Sequence, residues 1–218
     1  MVMPIRMTPA LLIIDLQRYY LEVGHEDKLM RVSALVPNMN DLIDWFHRHT
    51  LPIVRIQVAH KADGSTWNQQ MKPHWTGELL KGTLIEGTPE AEPHPNLVEH
   101  ETDIVVTKTR GSAFLKTNLE DTLRALAVDT VVVAGFSIDR CVGLTALDAW
   151  ERDFRVILAG DAILGTNPAN GQLMLDYLKQ AFGIEPVSNA EVKRLTVFRD
   201  VLVRDTTAGG QSQVVPSS

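Results

Sequence analysis

TVVVAGFSIDRCVGLTALDAWER, residues 130–152, is a β-branched apolar run, followed by a short connector and then by helical spacing. The apolar run predicts a buried parallel strand that ends at the glycine after it. Leu144, Leu147 and Trp150 recur at helical spacing, so we expect a helix to begin just after Cys141, the only cysteine in the chain. The thiol is therefore predicted to lie where a strand turns into a helix.

The position of Cys141 suggests a nucleophile. The first turn of a helix presents unpaired N–H groups and a partial positive charge, which lower the pKa of a thiol and stabilise the reactive thiolate. A lone cysteine can also be an inert, small hydrophobic residue. The stretch alone leaves both interpretations open.

Strand-like and helix-like segments alternate along the rest of the chain. Apolar runs of strand length lie at 10–15, 53–58, 103–108, 131–134 and 154–159, and helical patterns lie at 31–49, 117–127 and 169–182, with a short strand or helix at 191–203. This alternation predicts an α/β fold: a single-domain, three-layer α-β-α sandwich with a mostly parallel, Rossmann-like sheet. We expect the domain to span 1–205, with a lid or rim excursion at 60–102 and a disordered tail at 206–218.

The composition narrows the class of partner. Of 218 residues, 44% are hydrophobic and 22% charged, and the formal net charge is −6. We therefore expect a small-molecule substrate and no nucleic-acid partner. The single cysteine fits a reducing compartment, and no apolar run is long enough for a signal sequence or a membrane span, so we expect a cytoplasmic protein with no membrane association.

Three chemically capable residues end three of the predicted strands: Asp15, Lys108 and Cys141. Ligands of open α/β sheets bind outside the carboxyl ends of the strands, where these side chains could meet. A carboxylate can take the thiol proton and return it to a leaving amine, and an ammonium can pair with both groups. Taken singly, Asp15 could be a cap and Lys108 a solvated strand end.

The chain resembles the isochorismatase-like cysteine hydrolase superfamily, in particular its N-carbamoylsarcosine amidohydrolase, ureidoacrylate and biuret hydrolase branch. The matching segments are LLIIDLQ at 11–17, KTRGSAF at 108–114, TNLEDTLRAL at 117–126 and GFSIDRCVGLTALDAWERDFRVILAGDA at 135–162. The resemblance implies that Cys141 attacks a carbonyl carbon, that Asp15 is the general base and acid, and that Lys108 assists both. It also implies a homo-oligomer, dimer or tetramer.

The connector before the cysteine carries a further implication of the resemblance. A cis peptide of the family would fall between Phe136 and Ser137, and the backbone N–H groups of Ser137 and Cys141 would form an oxyanion hole. The family commonly has a threonine where this chain has Ile138. That difference puts the local hydrogen bonding in question and leaves the backbone donors in place.

The metal motif of nicotinamidases, D-x-H after the second strand, is incomplete in this chain. The segment reads Gln57-Val58-Ala59-His60, without the aspartate. We therefore expect no catalytic metal and no cofactor.

Several other residues are candidates for binding the substrate. Gln17 and Tyr20 follow Asp15, and Arg110 follows Lys108 and could bind a carboxylate. Phe114, Trp75 and Trp67 could wall the pocket. Each has a structural alternative: an exposed salt bridge for Arg110, an aromatic core for Phe114, and an oligomer contact for the tryptophans.

Three functions follow as hypotheses. The first is hydrolysis of a C–N bond in a small linear amide, ureide or carbamoyl compound through a thioester on Cys141. The second is vinyl-ether hydrolysis of the isochorismatase type, which does not use a cysteine. The third is a non-catalytic small-molecule binder or thiol sensor on the same fold.

Overall fold

The computed structural model describes residues 7–22, 26–69 and 84–197. Trp75, the middle of the 60–102 excursion and the 206–218 tail lie outside the described residues. The elements are β1 (Pro9–Ile14), α1 (Arg18–Glu22), α2 (Glu26–Arg48), β2 (Ile53–Val58), β3 (Ile104–Lys108), α3 (Leu119–Ala125), β4 (Thr130–Phe136), α4 (Gly143–Trp150), β5 (Arg155–Leu164), α5 (Pro168–Phe182), β6 (Pro186–Val187) and α6 (Asn189–Val197). None of the helices in the described ranges is long and apolar enough to cross a bilayer.

The strands form one six-stranded sheet in the order β3-β2-β1-β4-β5-β6, and every neighbouring pair is parallel. The strands are apolar along their length because the central ones are buried on both faces, as the burial of every residue of β1 and β4 shows. The predicted α/β fold with a parallel sheet is confirmed.

Helices cover both faces of the sheet. Alternate residues of β1 separate the two core layers: Leu12 and Ile14 pack with α3, α4 and α5, whereas Leu11 and Ile13 pack with α2. Consecutive strand side chains point to opposite faces, so one continuous apolar run supplies both layers. This arrangement is the predicted three-layer sandwich.

The structure differs from the sequence-based elements at three places. The segment after Asp15 contains the short helix α1, the two-residue strand β6 completes the sheet, and the ambiguous segment near the carboxyl end is the helix α6 as far as it is described. Helix α4 begins where expected, but it buries the small residues Ala146 and Ala149, while Leu144 and Trp150 are exposed. Small residues let the helix approach the sheet closely.

The topology places a crevice between β1 and β4. The chain moves outward from β1 through β2 to β3 on one side, and from β4 through β5 to β6 on the other. Parallel sheets bind ligands at such a switch in strand order, beyond the carboxyl ends of the strands. Asp15 follows β1 at this edge, and the connector to Cys141 follows β4.

Gly135 is required where β4 ends against β1. Its φ is +122°, and a Cβ built on it would lie 2.1 Å from the carbonyl oxygen of Ile14. By contrast, Gly183 at the end of α5 has φ +68°, but a Cβ built there would meet no atom of the described residues within 4 Å. Both glycines therefore have a backbone conformation that strains other residues, but only Gly135 would also cause a steric clash if it carried a side chain.

We predict that Gly135→Ala lowers the free energy of unfolding by roughly 3 kcal/mol or more, because strain and clash act together. Gly183→Ala is the matched control and should lower it by about 1 kcal/mol, from strain alone. Urea unfolding followed by circular dichroism measures both values. Equal losses of unfolding free energy in the two variants would show that the clash with the Ile14 carbonyl oxygen does not contribute to the destabilisation.

Candidate active site

Asp15 is turned into the crevice by the backbone that follows β1. Its φ is +51°, a left-handed conformation that aspartate tolerates better than most residues, and its N–H donates to the carbonyl of Ile56 at 2.9 Å. The side chain is fully buried. The conformation therefore fixes a carboxylate beneath the surface of the sheet edge.

Lys108, the last residue of β3, contacts both of the other predicted catalytic residues, Asp15 and Cys141. Its Nζ donates to Asp15 Oδ2 at 2.9 Å and to the carbonyl oxygen of Arg110 at 3.0 Å, and it lies 3.3 Å from Cys141 Sγ. An ammonium has three donors, and these contacts use all of them. Acid, amine and thiol thus meet in one buried cluster, although they are far apart along the chain.

One oxygen of the site is left without a partner. Asp15 Oδ1 is buried and accepts no hydrogen bond from the described residues. A buried carboxylate oxygen without a donor is unfavourable unless a ligand or a reacting group completes it. Oδ1 is therefore available to a proton from the neighbouring thiol or from a bound molecule.

The connector Phe136–Val142 positions Cys141 between β4 and α4. The peptide bond between Phe136 and Ser137 is cis, at the position that the resemblance implies. A π-helical turn at Ile138–Val142 follows, and α4 begins after it, so Cys141 precedes the regular helix. Asp139 ties this turn to the segment before α5, because its carboxylate accepts the backbone N–H of Thr166 at 2.8 Å and the Thr166 hydroxyl.

The electrostatics of the cluster keep the thiol protonated. Burial, reinforced by the negative charge of Asp15, raises the pKa of Cys141 to about 12, and Lys108 only partly opposes this. Our prediction of a lowered thiol pKa is therefore wrong: the half-buried thiol lies beside the Asp15 carboxylate, and desolvation together with that charge outweighs the helix terminus.

The other two members of the cluster are also shifted. Burial raises the pKa of Asp15 despite the attraction of Lys108. Burial acts to lower the pKa of Lys108, but the negative charge of Asp15 and the contact with Cys141 outweigh it and raise that pKa. Lys108 therefore stays an ammonium, and Asp15 is a stronger base than an exposed aspartate.

Two of the predicted substrate-binding residues have structural contacts instead. The Gln17 amide accepts the N–H of Val58 at 2.9 Å and donates to the carbonyl oxygens of Val58 and Ala91. It therefore links the 60–102 excursion, at Ala91, to the end of β2. Phe114 is buried in the core, where its ring lies 5.9 Å from that of Phe154. These contacts are structural, and a role of either side chain in substrate binding stays a prediction.

Arg110 and Tyr20 lie near the cluster. Arg110 Nη1 donates to the carbonyl oxygen of Thr66 at 2.6 Å, which fastens the start of the excursion to the end of β3. Tyr20 packs on Phe136, with ring centroids 5.6 Å apart. Burial, and then the negative charge of Asp15, raises the pKa of Tyr20 well above its usual value, so this neutral phenol lies within the field of the site.

The described parts of the 60–102 excursion lie along the carboxyl ends of β1 and β2. His60 donates its N–H to Leu84 at 2.8 Å and accepts the N–H of Glu86, and His94 donates to Leu16 at 2.9 Å. Trp67 is buried within this segment. These contacts agree with a rim beside the site.

The residues at the end of β2 do not fit a nicotinamidase-type metal. Nδ1 of His60 lies 3.2 Å from the Thr66 hydroxyl, and the described residues contain no group of three His, Cys, Asp or Glu side chains that could hold a metal ion. Burial, together with the charges of Arg110 and Lys108, lowers the pKa of His60. A neighbouring lysine and arginine disfavour a cation here.

Some residues at this edge were not among the predicted site residues. Thr166 and Asn170 approach Asp139 from the α5 side, and Arg140 is exposed immediately before the nucleophile. The proximity of Arg140 to Cys141 in the sequence was a usable signal. The contribution of Thr166 was not predictable, because it depends on how the β5–α5 connection folds back.

The fold and the site together define a class: an α/β enzyme with an Asp–Lys–Cys cluster at the switch point of a parallel sheet. Comparison with known proteins names the family, since residues 9–191 match the model described as the isochorismatase domain. The chain belongs to the isochorismatase family and is a hydrolase of that family.

Individual relatives are similar over most of the chain. A maleamate amidohydrolase from Pseudomonas putida is 31% identical over 159 residues, covering 71% of each protein. A probable inactive nicotinamidase from Arabidopsis thaliana is 29% identical over 161 residues, covering 73% of this chain and 82% of that one. The crystal structure of an isochorismatase family protein from Desulfovibrio vulgaris, 27% identical, superposes with a TM-score of 0.77 and covers 88% of this chain and 99% of that one.

We predict that Asp15→Asn makes Cys141 easier to alkylate while removing turnover. The carboxylate raises the thiol pKa, so without its charge the iodoacetamide rate at pH 8 should increase about tenfold or more. In the unchanged protein the rate should keep rising with pH toward the thiol pKa of about 12. Intact mass spectrometry over time measures both rates.

Asp121→Asn, an exposed carboxylate on α3, is the control for loss of one negative charge and should alkylate at the original rate. If the Asp15→Asn protein is alkylated more slowly than the unchanged protein, the electrostatic account of the thiol is wrong.

Proposed function

We propose that this protein is a cysteine-dependent hydrolase of a C–N bond in a small linear amide, ureide or carbamoyl compound. Cys141 forms a covalent thioester, Asp15 acts as general base and then general acid, and Lys108 assists both. The proposal rests chiefly on one observation: a single ammonium lies 2.9 Å from the Asp15 carboxylate and 3.3 Å from the Cys141 sulfur.

The first half of the reaction forms the thioester. Asp15 takes the thiol proton as the sulfur attacks the carbonyl carbon, because a thiol with a pKa of about 12 is not ionised beforehand at neutral pH. The backbone N–H groups of Ser137 and Cys141 stabilise the oxygen that becomes negative. The C–N bond breaks as Asp15 gives the proton to the leaving nitrogen, and ammonia or an amine departs.

The second half returns the free enzyme. A water molecule gives its proton to Asp15 and attacks the thioester carbon, and the same N–H groups stabilise the second tetrahedral intermediate. The C–S bond then breaks, the sulfur regains the proton from Asp15, and the acid is released. Lys108 remains an ammonium throughout and compensates the charge that moves between carboxylate and sulfur.

The substrate class is supported by a relative. The maleamate amidohydrolase acts, by its name, on an amide nitrogen. The predicted substrate-binding residues stay part of this proposal: Gln17, Tyr20, Trp75, Arg110 and Phe114.

Two other functions are less well supported. A thiol sensor needs an accessible cysteine of low pKa, whereas burial raises the pKa of this thiol to about 12. Vinyl-ether hydrolysis needs no nucleophilic sulfur, so the contact between Lys108 and Cys141 would have no role. Alkylation of Cys141 separates these cases, because only the thioester mechanism loses all activity.

We also propose that the protein assembles into a homo-oligomer, a dimer or tetramer. Helices α4 and α5 leave large apolar side chains exposed: Leu144, Trp150, Leu173 and Tyr177. Patches of this kind commonly mark protein interfaces. A cytoplasmic location stays a prediction from the sequence.

We predict that ammonia release from a panel of amides, ureides and carbamoyl compounds identifies a substrate, and that Cys141→Ala lowers kcat by at least about 1,000-fold, since no other nucleophile is in the cluster. Rapid quenching of the unchanged enzyme should reveal a mass increase equal to the acyl group, carried on Cys141. Coupled ammonia detection and intact mass spectrometry are the measurements.

Arg194→Gln is the control, because Arg194 pairs with Glu191 on α6, away from the site, and should retain full activity. Thermal unfolding of Cys141→Ala verifies that the fold persists. Undiminished hydrolysis by a folded Cys141→Ala protein would contradict the proposal.

A further inference from the structure

Thr145 is a buried residue near the nucleophile that the proposed chemistry does not use. It lies on α4, four residues after Cys141, a spacing that places two side chains on one side of a helix. The side chain is fully buried, and its Oγ1 accepts the backbone N–H of Ala113 at 3.0 Å. Ala113 belongs to the 109–114 segment, which follows β3. The hydroxyl therefore joins the helix after the nucleophile to the segment after Lys108.

The 109–114 segment contacts α4 at two further points. Asp148, three residues after Thr145, accepts the hydroxyl hydrogen bond of Ser112 at 2.5 Å. Gly111 passes α4 closely, since a Cβ built on it would lie 2.5 Å from Leu144 Cδ1. The segment is thus held against the side of α4 that faces the end of β3.

This segment also supplies a partner to the ammonium of the site. Lys108 Nζ donates to the carbonyl oxygen of Arg110 at 3.0 Å, in addition to its contacts with Asp15 and Cys141. The carbonyl belongs to the backbone, so its position depends on how the 109–114 segment is held. An ammonium that lost this acceptor would turn toward the charged Asp15 carboxylate, which attracts it more strongly than a neutral sulfur does. The carbonyl therefore helps to keep the ammonium at the sulfur.

We infer that Thr145 is a positioning residue that keeps the Lys108 ammonium beside the Cys141 sulfur. Its hydroxyl holds the 109–114 segment and thereby fixes the Arg110 carbonyl, to which the ammonium donates. This inference rests on the proposed function, because it assigns Thr145 a part in the same reaction. Since the anchor of the ammonium lies one turn after the nucleophile, the start of α4 sets the separation of ammonium and sulfur.

Thr145→Val tests the inference, because valine keeps the shape of threonine and removes the hydroxyl. Lys108 opposes the rise of the Cys141 pKa, so an ammonium that moves away leaves the thiol less ionised. Alkylation of Cys141 by iodoacetamide at pH 8 should therefore become about three- to tenfold slower. Intact mass spectrometry over time gives the rate. An unchanged or faster rate would overturn the inference, because a segment that is merely loosened does not protect the sulfur.

Two threonine variants serve as controls. Thr145→Ser keeps the hydroxyl, so its alkylation rate should lie within about twofold of that of the unchanged protein. Thr122→Val is the matched control: it removes a hydroxyl that donates to the Asn118 carbonyl at 2.9 Å, outside the 109–114 segment, and it should alkylate at the original rate. A Thr145→Ser protein as slow as Thr145→Val would show that the hydroxyl is not the cause, and the inference would fail.

A second variant decides the question if Thr145→Val does not fold, which circular dichroism shows. Ser112→Ala removes the contact with Asp148 and loosens the same segment nearer to the surface. Alkylation of Cys141 should slow in this variant as well, by about two- to threefold. A rate equal to or above that of the unchanged protein would contradict the inference.

The route through Lys108 is tested by a double mutant. Lys108→Met removes the ammonium, so adding Thr145→Val to this variant should change the alkylation rate by less than about twofold. A further slowing as large as that in the unchanged background would mean that Thr145 acts on the sulfur by another route, and the inference would be wrong.

Turnover supplies an independent measurement. With a substrate from the amide panel, Thr145→Val should lower kcat about tenfold and leave KM within about twofold, because the hydroxyl acts through the ammonium and does not touch the substrate. A change confined to KM would overturn the inference. If no member of the panel is hydrolysed, the proposed function fails, whereas slower alkylation of Thr145→Val would still support the positioning of the ammonium by Thr145.

Discussion

The buried ion pair between Lys108 and Asp15 is the interaction on which the site depends. Moving two charges out of water is costly, and their attraction compensates only where geometry is good and the remaining donors are satisfied. Here the ammonium has three partners, the Asp15 carboxylate, the Arg110 carbonyl and the Cys141 sulfur. The catalytic residues follow the ends of three different strands, so the pair can form only after the parallel sheet has assembled.

This arrangement stores the nucleophile in a protonated form. With a pKa of about 12, the thiol is neutral in the resting protein, and Asp15 lies beside it with an oxygen that has no donor among the described residues. Proton transfer and attack on carbon are therefore coupled to substrate binding, which places the reacting carbonyl near the connector N–H groups. A neutral thiol is also less reactive toward oxidants and adventitious electrophiles than a thiolate.

Periodicity and strand ends made part of this structure predictable from the sequence. Continuous apolar runs indicated buried parallel strands, and the carboxyl ends of such strands bring Asp15, Lys108 and Cys141 together in any fold of this class. Side-chain direction was not predictable in the same way. Gln17 and Phe114 lie within the family motifs near the site, yet the first binds the rim backbone and the second packs in the core. The thiol pKa was also not predictable from the sequence. A helix terminus lowers the pKa of a thiol and a neighbouring carboxylate raises it, and the balance depends on burial and on distances of a few ångströms.

The connector shows how this chain accommodates its departure from the family pattern. Ile138 is buried beside α5: its Cγ2 lies 3.5 Å from the position that a Cβ on Gly171 would occupy, an ordinary van der Waals distance. The polar contact of the turn is made by Asp139, whose carboxylate accepts hydrogen bonds from the N–H and the hydroxyl of Thr166, just before α5.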